Sequence, residues 1–294
     1  MKNRLAFTMI ELIFVIVVMG IIGKFGTEFL AQAYNNFIYS SINNSLQAKS
    51  EMAVQSIASR LQYRIKDSVI ARQSDANFTA LSGVSSDGYH ILEWVGYDID
   101  GFRGTTQPYW NGVIDLKHKD INSTYLVSPA TNTTAINELI QTLSYGDSDI
   151  NDSALYFIGS NSNIQTGYGW DANLSDIDTQ KGVMHPIRSD ANSSVFIPTD
   201  SNGTDNNFNG IDVYEYYQLA WTAYAVEIKD GNLTLYYDYQ PWKGEQYNDG
   251  KSALIMQNVS TFEFMSAGSV MKIQVCVKTD LVEDYSLCKE KTIF

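Results

Sequence analysis

A single carboxylate, Glu11, stands inside an apolar run near the start of the chain. The 19 residues 7–25 contain only Glu11 and Lys24 as charged side chains. At a rise of about 1.5 Å per residue, a helix of this length can cross the hydrocarbon core of a bilayer. The run therefore predicts a transmembrane helix, which restricts the fold to one anchored at its N-terminal end.

The charges before this run predict its orientation. The first six residues carry Lys2 and Arg4 and no acidic residue. Basic residues beside a membrane helix stay in the cytoplasm, so the long C-terminal part is expected outside it. The alternatives are a cleaved secretory signal peptide and a plain membrane anchor, since both also place basic residues before an apolar stretch.

Glu11 needs a partner inside the membrane. A carboxylate at the centre of a membrane helix costs roughly 2.5 to 3.5 kcal/mol, and such groups are usually paired with a positive charge. A cation would arise if the leader were cut between Ala6 and Phe7 and a neighbouring subunit presented the new α-amino group of Phe7. This argument predicts a role for Glu11 in assembly.

The N-terminal residues resemble a known family. Lys2-Asn3-Arg4-Leu5-Ala6 followed by Phe7-Thr8-Met9-Ile10-Glu11-Leu12-Ile13 is similar to the class III signal of type IV pilins and type II secretion pseudopilins. The resemblance implies that a prepilin peptidase removes the leader 1–6 and N-methylates Phe7. It also implies that Glu11 is the filament-assembly glutamate. The family usually has Gly before the cut, where this chain has Ala6.

The same resemblance implies a location and partners. The precursor is expected to be a single-pass inner-membrane protein with a periplasmic head, which later enters a pilus or pseudopilus. Its expected partners are other pilins or pseudopilins, contacted through the N-terminal helix, together with the prepilin peptidase and the inner membrane.

Beyond the membrane run, apolar residues recur at intervals of three, four or seven, as on one face of a helix. They are Phe29, Leu30, Ala33, Phe37, Ile42, Leu46, Ala53, Ile57, Leu61 and Ile65. The spacing predicts a transmembrane helix over 7–26 and an amphipathic helix over 27–70, continuous from residue 7 to about 69. The alternative is a coiled-coil stalk, which the loose spacing around Asn43 and Asn44 disfavours.

The remainder, residues 71–294, is predicted to form a β-rich head. Short apolar alternations between clusters of Asp, Asn, Ser, Thr and Gly are typical of strands and loops. The candidate strands are 89–95, 113–116, 154–158, 219–228, 233–239, 254–264 and 270–277. Asp230-Gly231 predicts a tight hairpin turn. The expected fold is α+β, with a long N-terminal helix packed on a C-terminal antiparallel β-sheet head that carries a large loop-rich β insertion.

Residues 224–236 and 253–264 resemble the C-terminal sheet of J-type minor pseudopilins and W-type minor pilins. Residues of about 97–216 have no such resemblance and are predicted to form the insertion. The resemblance implies a J-like or W-like structural subunit, assembled into the tip or initiation complex of a type IV pilus or a type II secretion pseudopilus. The alternative is that the insertion makes the chain a filament-tip adhesin or a substrate-binding module.

Charge and motifs disfavour two other classes of function. Residues 1–72 hold 8 of the 20 Lys and Arg and 4 of the 33 Asp and Glu, so the rest keeps 12 basic and 29 acidic residues, net −17. Such an acidic head is not expected to bind nucleic acid, which requires neutralisation of phosphates. His90, His118 and His185 are scattered, and no catalytic motif accompanies them, so no enzyme is predicted.

The two cysteines, Cys276 and Cys288, lie outside the cytoplasm in the predicted topology, where disulfides persist. We predict a Cys276–Cys288 bond. Closing a loop of about 13 residues is worth on the order of 3 kcal/mol in the chain-entropy model. Type IV pilins often carry a similar C-terminal loop. The alternative is two free thiols.

The segment 205–212 follows the D-x-N-x-N-G spacing of calcium loops. Asp205, Asn207, Asn209 and Asp212 are therefore candidate Ca²⁺ ligands, in a loop that is not an EF-hand because Tyr216 stands at the twelfth position. The alternative is a metal-free loop of Asx-turns, since Asn and Asp are common turn formers. No other cofactor is predicted.

Seven N-x-[ST] sequons are each preceded by Asp two residues earlier, whereas the acidic fraction of the head would produce about one among the nine sequons after residue 72. They begin at Asn77, Asn122, Asn151, Asn173, Asn192, Asn202 and Asn232. The pattern resembles the acidic sequon of bacterial oligosaccharyltransferases, and N-glycosylation at several of these sites is the hypothesis. The alternative is compositional, because loops rich in Asp, Asn, Ser and Thr generate such patterns.

Aromatic residues are frequent late in the head, as in Tyr214, Tyr216, Tyr217, Trp221, Tyr236 and Tyr237. Packing on a sheet is the simplest explanation. A surface that binds carbohydrate or a protein partner is the alternative, because aromatic residues are also enriched at interfaces.

Overall fold

The computed structural model describes residues 8–74, 77–84, 88–171, 176–191, 194–268, 270–279, 281 and 285–294. The helices are α1 (Met9–Leu61), α2 (Ile99–Arg103) and α3 (Thr133–Leu143). The strands, in chain order, are β1 (Ile70–Ser74), β2 (Asn77–Ala80), β3 (Ile91–Gly96), β4 (Leu126–Val127), β5 (Ala154–Phe157), β6 (Met184–Ser189), β7 (Val195–Pro198), β8 (Tyr217–Ala220), β9 (Thr222–Lys229), β10 (Asn232–Tyr237), β11 (Lys251–Met256), β12 (Val259–Ala267), β13 (Val270–Lys278) and β14 (Ser286–Ile293).

The predicted α+β architecture is confirmed. A long N-terminal helix packs on antiparallel sheets, and its second half supplies the apolar stripe expected from the sequence. Ile42, Leu46, Ile57 and Leu61 are buried on this stripe. They contact a six-stranded sheet of order β11-β10-β9-β3-β1-β2 and a three-stranded sheet of order β12-β13-β14. The helix thus holds the two sheets in one core.

The helix ends earlier than its apolar spacing predicts. We expected it to continue to about residue 69, with an amphipathic helix over 27–70, but α1 ends at Leu61. The reason is backbone pairing with the end of β3. The amide of Ile65 donates to the carbonyl of Val95, and Tyr97 donates to Tyr63. Ile65 is buried in a sheet-side core instead of on the helix stripe.

The predicted hairpin at Asp230-Gly231 is confirmed. Asp230 and Gly231 both have positive φ, 51° and 75°, as a tight turn between paired strands requires. Asn232 pairs with Lys229 across this turn, and β10 then continues alongside β9. The turn therefore sets the register between β9 and β10 in the six-stranded sheet, which we call the main sheet.

The chain between β3 and β9 forms a third sheet, which has five strands in the order β4-β7-β6-β5-β8. The amphipathic helix α3 covers it through Ile136 and Ile140. A separate apolar cluster, which includes Trp110 and Phe196, fills the space between them. We call residues 97–220 the insert, and we call its five strands the insert sheet.

The insert sheet is not a detachable module. Tyr156 and Trp170 of the insert share a cluster with Val95 and Ala223 of the main sheet. The buried Arg72–Glu93 ion pair of the main sheet also reaches across the boundary, because Arg72 donates to the carbonyl of Trp170 at 3.0 Å. Deleting the insert would uncover this core.

Lys251 of β11 forms a second connection between the two sheets. Its ammonium group lies 2.8 Å from Asp147 of the insert and 2.8 Å from the buried carboxylate of Asp238. Ser148 also donates to Asp238 at 2.6 Å. The ionic and hydrogen-bonded groups therefore hold the end of α3 against the main sheet.

Several strand predictions need correction. The segment 113–116 forms only an isolated bridge between Val113 and Tyr216, because it lies beside β8 as a covering loop. The predicted strand 219–228 divides at Trp221 into β8 and β9, which belong to different sheets. The predicted strand 254–264 divides at Asn258, whose φ of 58° turns the chain between β11 and β12. Several elements were not predicted, namely the strands β1, β2, β4, β6, β7 and β14 and the helices α2 and α3.

The predicted disulfide is present. Cys276 and Cys288 are directly opposite each other in the antiparallel pair β13 and β14, and their sulfur atoms are bonded. The pair β13 and β14 also contacts α1, where Lys289 forms a 2.9 Å ion pair with Glu51. The bond therefore ties the last strand to the sheet that supports the helix.

Replacing both cysteines by alanine should destabilise the head while keeping its fold, because the strand pairing remains on both sides of the bond. We expect the melting temperature to fall by roughly 6 to 12 °C, the equivalent of about 3 kcal/mol for a domain of this size. Circular dichroism of the full chain in detergent measures this shift. Dithiothreitol should lower the wild-type melting temperature equally and leave the double variant unchanged; equal melting of the oxidised wild type and the variant would contradict the prediction.

Candidate functional site

The first part of α1 projects from the head. From residue 9 to residue 41 the helix buries none of its side chains, and the first buried one is Ile42. This projecting segment measures about 50 Å along its axis. Its large apolar side chains include Met9, which is 81 % exposed, and Phe37, which is 68 % exposed. We call residues 9–41 the projecting helix.

An apolar surface of this size is not stable in water, because each large apolar side chain left exposed forgoes about 1.5 to 3 kcal/mol of burial free energy. Within the described residues, α1 is the one helix long and apolar enough to cross a membrane. The head adds a disulfide, which is typical of extracytoplasmic proteins. These features are consistent with a membrane-anchored protein.

The projecting helix carries three charged residues, Glu11, Lys24 and Glu28. Lys24 and Glu28 face each other one turn apart, with the ammonium nitrogen 3.9 Å from a carboxylate oxygen. Glu11 lies 13 residues before Lys24, about 20 Å along the axis. Lys24 therefore cannot neutralise Glu11 within the same helix.

Glu11 forms a capping box with Thr8 at the start of α1. The Glu11 carboxylate accepts hydrogen bonds from the amide and the hydroxyl of Thr8, each at 2.9 Å, and the Thr8 hydroxyl accepts from the Glu11 amide at 3.4 Å. Such a box stabilises a helix N-terminus. It supplies hydrogen bonds to the carboxylate but no cation, and none of the described residues compensates the charge of Glu11. Our sequence analysis missed this role of Thr8, although Thr8-x-x-Glu11 is the usual signature.

The predicted processing residues, Ala6 and Phe7, lie outside the described residues, so their role stays a prediction.

The candidate calcium ligands are described. The Asp205 carboxylate forms an ion pair with Arg188, whose Nη2 lies 2.7 Å from Oδ2, and this hydrogen bond lowers the pKa of Asp205. The Asn207 side chain accepts from the Asn209 amide at 2.9 Å.

These contacts give the 205–212 loop a metal-free explanation. A guanidinium group already occupies the carboxylate that a calcium ion would need first, and an Asx-turn uses the next oxygen. Asp212 is on the same loop without a contact to these groups. Among the described residues, no cluster of three His, Cys, Asp or Glu side chains could hold a metal ion. Calcium binding stays a prediction that the geometry does not favour.

The structure describes five of the seven sequon asparagines: Asn77, Asn122, Asn151, Asn202 and Asn232. Asn173 and Asn192 lie outside the described residues. Asp149 accepts from the amide of Asn151 at 2.6 Å, and Asp200 accepts from that of Asn202 at 2.9 Å. In both cases the Asp two residues before Asn closes an Asx-turn. Turn formation thus accounts for part of the Asp excess, and glycosylation stays a hypothesis.

The three histidines do not form a catalytic group. His90 is exposed, and His118 lies 3.7 Å from Asp120 on the surface. His185 is buried, 4 % exposed, with its ring against Phe157 and Phe208. Burial, aided by the charge of Lys181, lowers the pKa of His185 to about 4. His185 is therefore a neutral packing residue at pH 7.

Of the aromatic residues considered in the sequence, Tyr217 and Trp221 are buried and Tyr216 is 57 % exposed. Trp221 and Tyr237 line a cleft together with Tyr63, Tyr97 and Tyr224. This cleft was not predicted, because its residues come from α1, α2, the insert sheet and the main sheet and share no spacing in the sequence.

Comparison of the whole chain with protein-family models, curated proteins and solved structures finds no match.

Burial of neutral His185 predicts acid sensitivity of the head. In the unfolded chain the imidazole of residue 185 binds a proton below pH 6.5, whereas in the folded chain it does so only below about pH 4. The free energy of unfolding therefore decreases as the pH falls from 6.5 to 4. This loss is about 3 kcal/mol for one such group. The free energy of unfolding of the wild type should therefore decrease more between pH 7 and pH 4.5 than that of a His185→Phe variant. Urea denaturation at the two pH values measures both decreases. His90→Phe, at an exposed position, is the matched control, and an unchanged acid response in the His185→Phe variant would refute the assignment.

Proposed function

We propose that this chain is a minor subunit of a type IV pilus or a type II secretion pseudopilus, with a structural role at the tip or in the initiation complex. The observation that carries the proposal is the projecting helix. It is about 50 Å long, apolar and largely exposed, with Ile38 near its end packed against the head. At its start it carries a carboxylate that no cation in the described part of the chain compensates.

The proposal gives this helix two successive environments. Before assembly, its apolar surface lies in lipid, which removes it from water. After assembly, the same surface packs against the corresponding helices of neighbouring subunits. A helix that only anchored the head would not need the charge at Glu11, which costs energy in lipid.

Glu11 supplies the selectivity of this assembly. Its carboxylate is held in a defined position by Thr8, and the nearest cation of the same helix is about 20 Å away along the axis. A positive group from another chain would therefore be the natural partner. Cleavage after Ala6 would create that group at Phe7 on each subunit, so processing and assembly would be chemically linked.

The proposed topology is single-pass. Lys2 and Arg4 would keep the leader cytoplasmic, and the head would lie in the periplasm, where the Cys276–Cys288 bond persists. The insert adds a further sheet to the head beside the main sheet, and this bulk would limit how many copies can repeat around a thin filament. The added bulk supports a position at the tip, as in J-like or W-like subunits.

Glu11→Leu should abolish incorporation into filaments. We expect at least a tenfold loss of the subunit from the sheared filament fraction of its native host, with unchanged amounts in the membrane, because the partner charge would have no counterpart. Immunoblotting of both fractions measures the ratio. Glu28→Gln, which removes a carboxylate from the same projecting helix, is the matched control and should assemble normally; normal polymerisation of the Glu11→Leu protein would reject the proposal.

Processing can be tested on the wild-type protein. Mass spectrometry of the mature chain should find an N-terminal peptide that begins at N-methylated Phe7. Ala6→Arg should block the cut and leave the leader attached, while the protein stays in the membrane because the apolar run is intact. A mature chain that begins at Met1 would contradict the proposed processing.

A further inference from the structure

A cleft of about 470 Å³ lies where the end of α1, the main sheet and the insert meet. Its walls are aromatic: Tyr63 follows α1, Tyr97 precedes α2, and Tyr224 and Tyr237 lie on β9 and β10. The volume is in the range of small-molecule sites, which are often found between two structural units of a protein. The assembly role proposed above does not use it.

The aromatic rings of the cleft are held in place by their neighbours. Tyr224 stacks on the buried Trp94, with ring centroids 5.6 Å apart, and Tyr97 meets Tyr63 edge to face at 5.8 Å. Gly96 makes room for the Tyr224 ring, since a Cβ at this position would lie 2.6 Å from it. The Arg103 guanidinium lies over the Tyr63 ring at 5.3 Å. The wall is thus pre-organised, which reduces the entropy cost of binding.

The cleft also offers unused polar groups. The hydroxyls of Tyr97, Tyr224 and Tyr237 make no hydrogen bond to any residue in the described part of the chain. Asp98, which is 3 % exposed, borders the cleft and accepts from the Gly101 amide and the Trp110 indole. A ligand with several hydroxyl groups could pair with these tyrosines and with the free lone pairs of the carboxylate.

The charges of the cleft nearly cancel. Arg60 and Arg103 stand against Asp98 and Asp100 on its walls. Burial raises the pKa of Asp98 to about 6, which still leaves it ionised at pH 7. The two carboxylates would repel an anionic ligand, and the two guanidinium groups would repel a cationic one. The cleft differs in this respect from the head as a whole, which is strongly acidic. The balance favours an uncharged ligand.

We propose that this cleft binds a neutral saccharide. A sugar ring presents C–H groups on one face, which pack on the negative faces of aromatic rings, and hydroxyls at its edge, which pair with carboxylate, guanidinium and phenol groups. Rigid aromatic walls, unpaired hydroxyls and balanced charges occur together here. The site goes beyond the proposed assembly role and does not depend on it.

The test uses the full chain in a detergent without sugar groups, applied to an array of neutral, sialylated and sulfated oligosaccharides. We expect binding to one or more neutral oligosaccharides, whose affinity is then measured by titration calorimetry. No binding to any neutral oligosaccharide, or binding confined to charged ones, would overturn the proposal. Glu11→Leu should bind like the wild type, so failure of the assembly role and failure of this site are distinguishable.

Two matched pairs of variants locate the binding. Ala253→Trp places a large side chain into the mouth of the cleft, whereas Ser252→Trp places it on the opposite face of the same exposed strand. Tyr237→Ala removes one wall, whereas Tyr216→Ala removes a tyrosine outside the cleft. We expect at least tenfold weaker binding for the first member of each pair and wild-type affinity for the second. Equal affinities for Ala253→Trp and Ser252→Trp would place the sugar elsewhere and overturn the assignment.

Discussion

The burial of one stripe of α1 against two sheets is the interaction on which the head depends. Leu46, Ile57 and Leu61 contact apolar residues of both the six-stranded and the three-stranded sheet. The helix closes the core between these two sheets. Because the helix continues without a break into the projecting helix, packing within the head determines the orientation of that segment. Force or displacement applied to the N-terminal end would therefore be transmitted to both sheets.

The insert sheet packs against the main sheet through a separate apolar cluster, which uses the alternate residues of the same strands. Arg72 and Glu93 form a buried ion pair that also reaches the carbonyl of Trp170 in the insert. Removing one partner of a buried pair leaves an unpaired charge, which is strongly destabilising. The insert is consequently part of one folded unit. A role for this region has to be tested by point substitutions on its surface, since excision would expose the shared core.

The sequence predicted the parts of this structure that depend on local patterns. The apolar run, the stripe on α1, the Asp230-Gly231 turn and the disulfide all follow from short-range spacing or from compartment. The end of α1 could not be predicted, because Ile65 continues the helical spacing and only its pairing with Val95 redirects the chain. The division of 219–228 at Trp221 was hidden for a similar reason, since two strands of different sheets follow each other without a turn residue. The calcium and sequon patterns stay predictions, for which hydrogen-bonded Asx-turns offer a second explanation of the same Asp and Asn residues.

The two ends of α1 separate the two proposed roles in space. Glu11 stands at the N-terminal end, and Arg60 of the cleft stands 49 residues later, about 70 Å along the helix axis. Contacts that bring neighbouring projecting helices together can therefore form without involving the cleft. The cleft opens beside β11, an edge strand that pairs only with β10 within the described part of the main sheet. A subunit at the tip, with no further subunit above it, would keep this edge accessible. This separation would allow one chain to combine the proposed assembly helix with the proposed saccharide site.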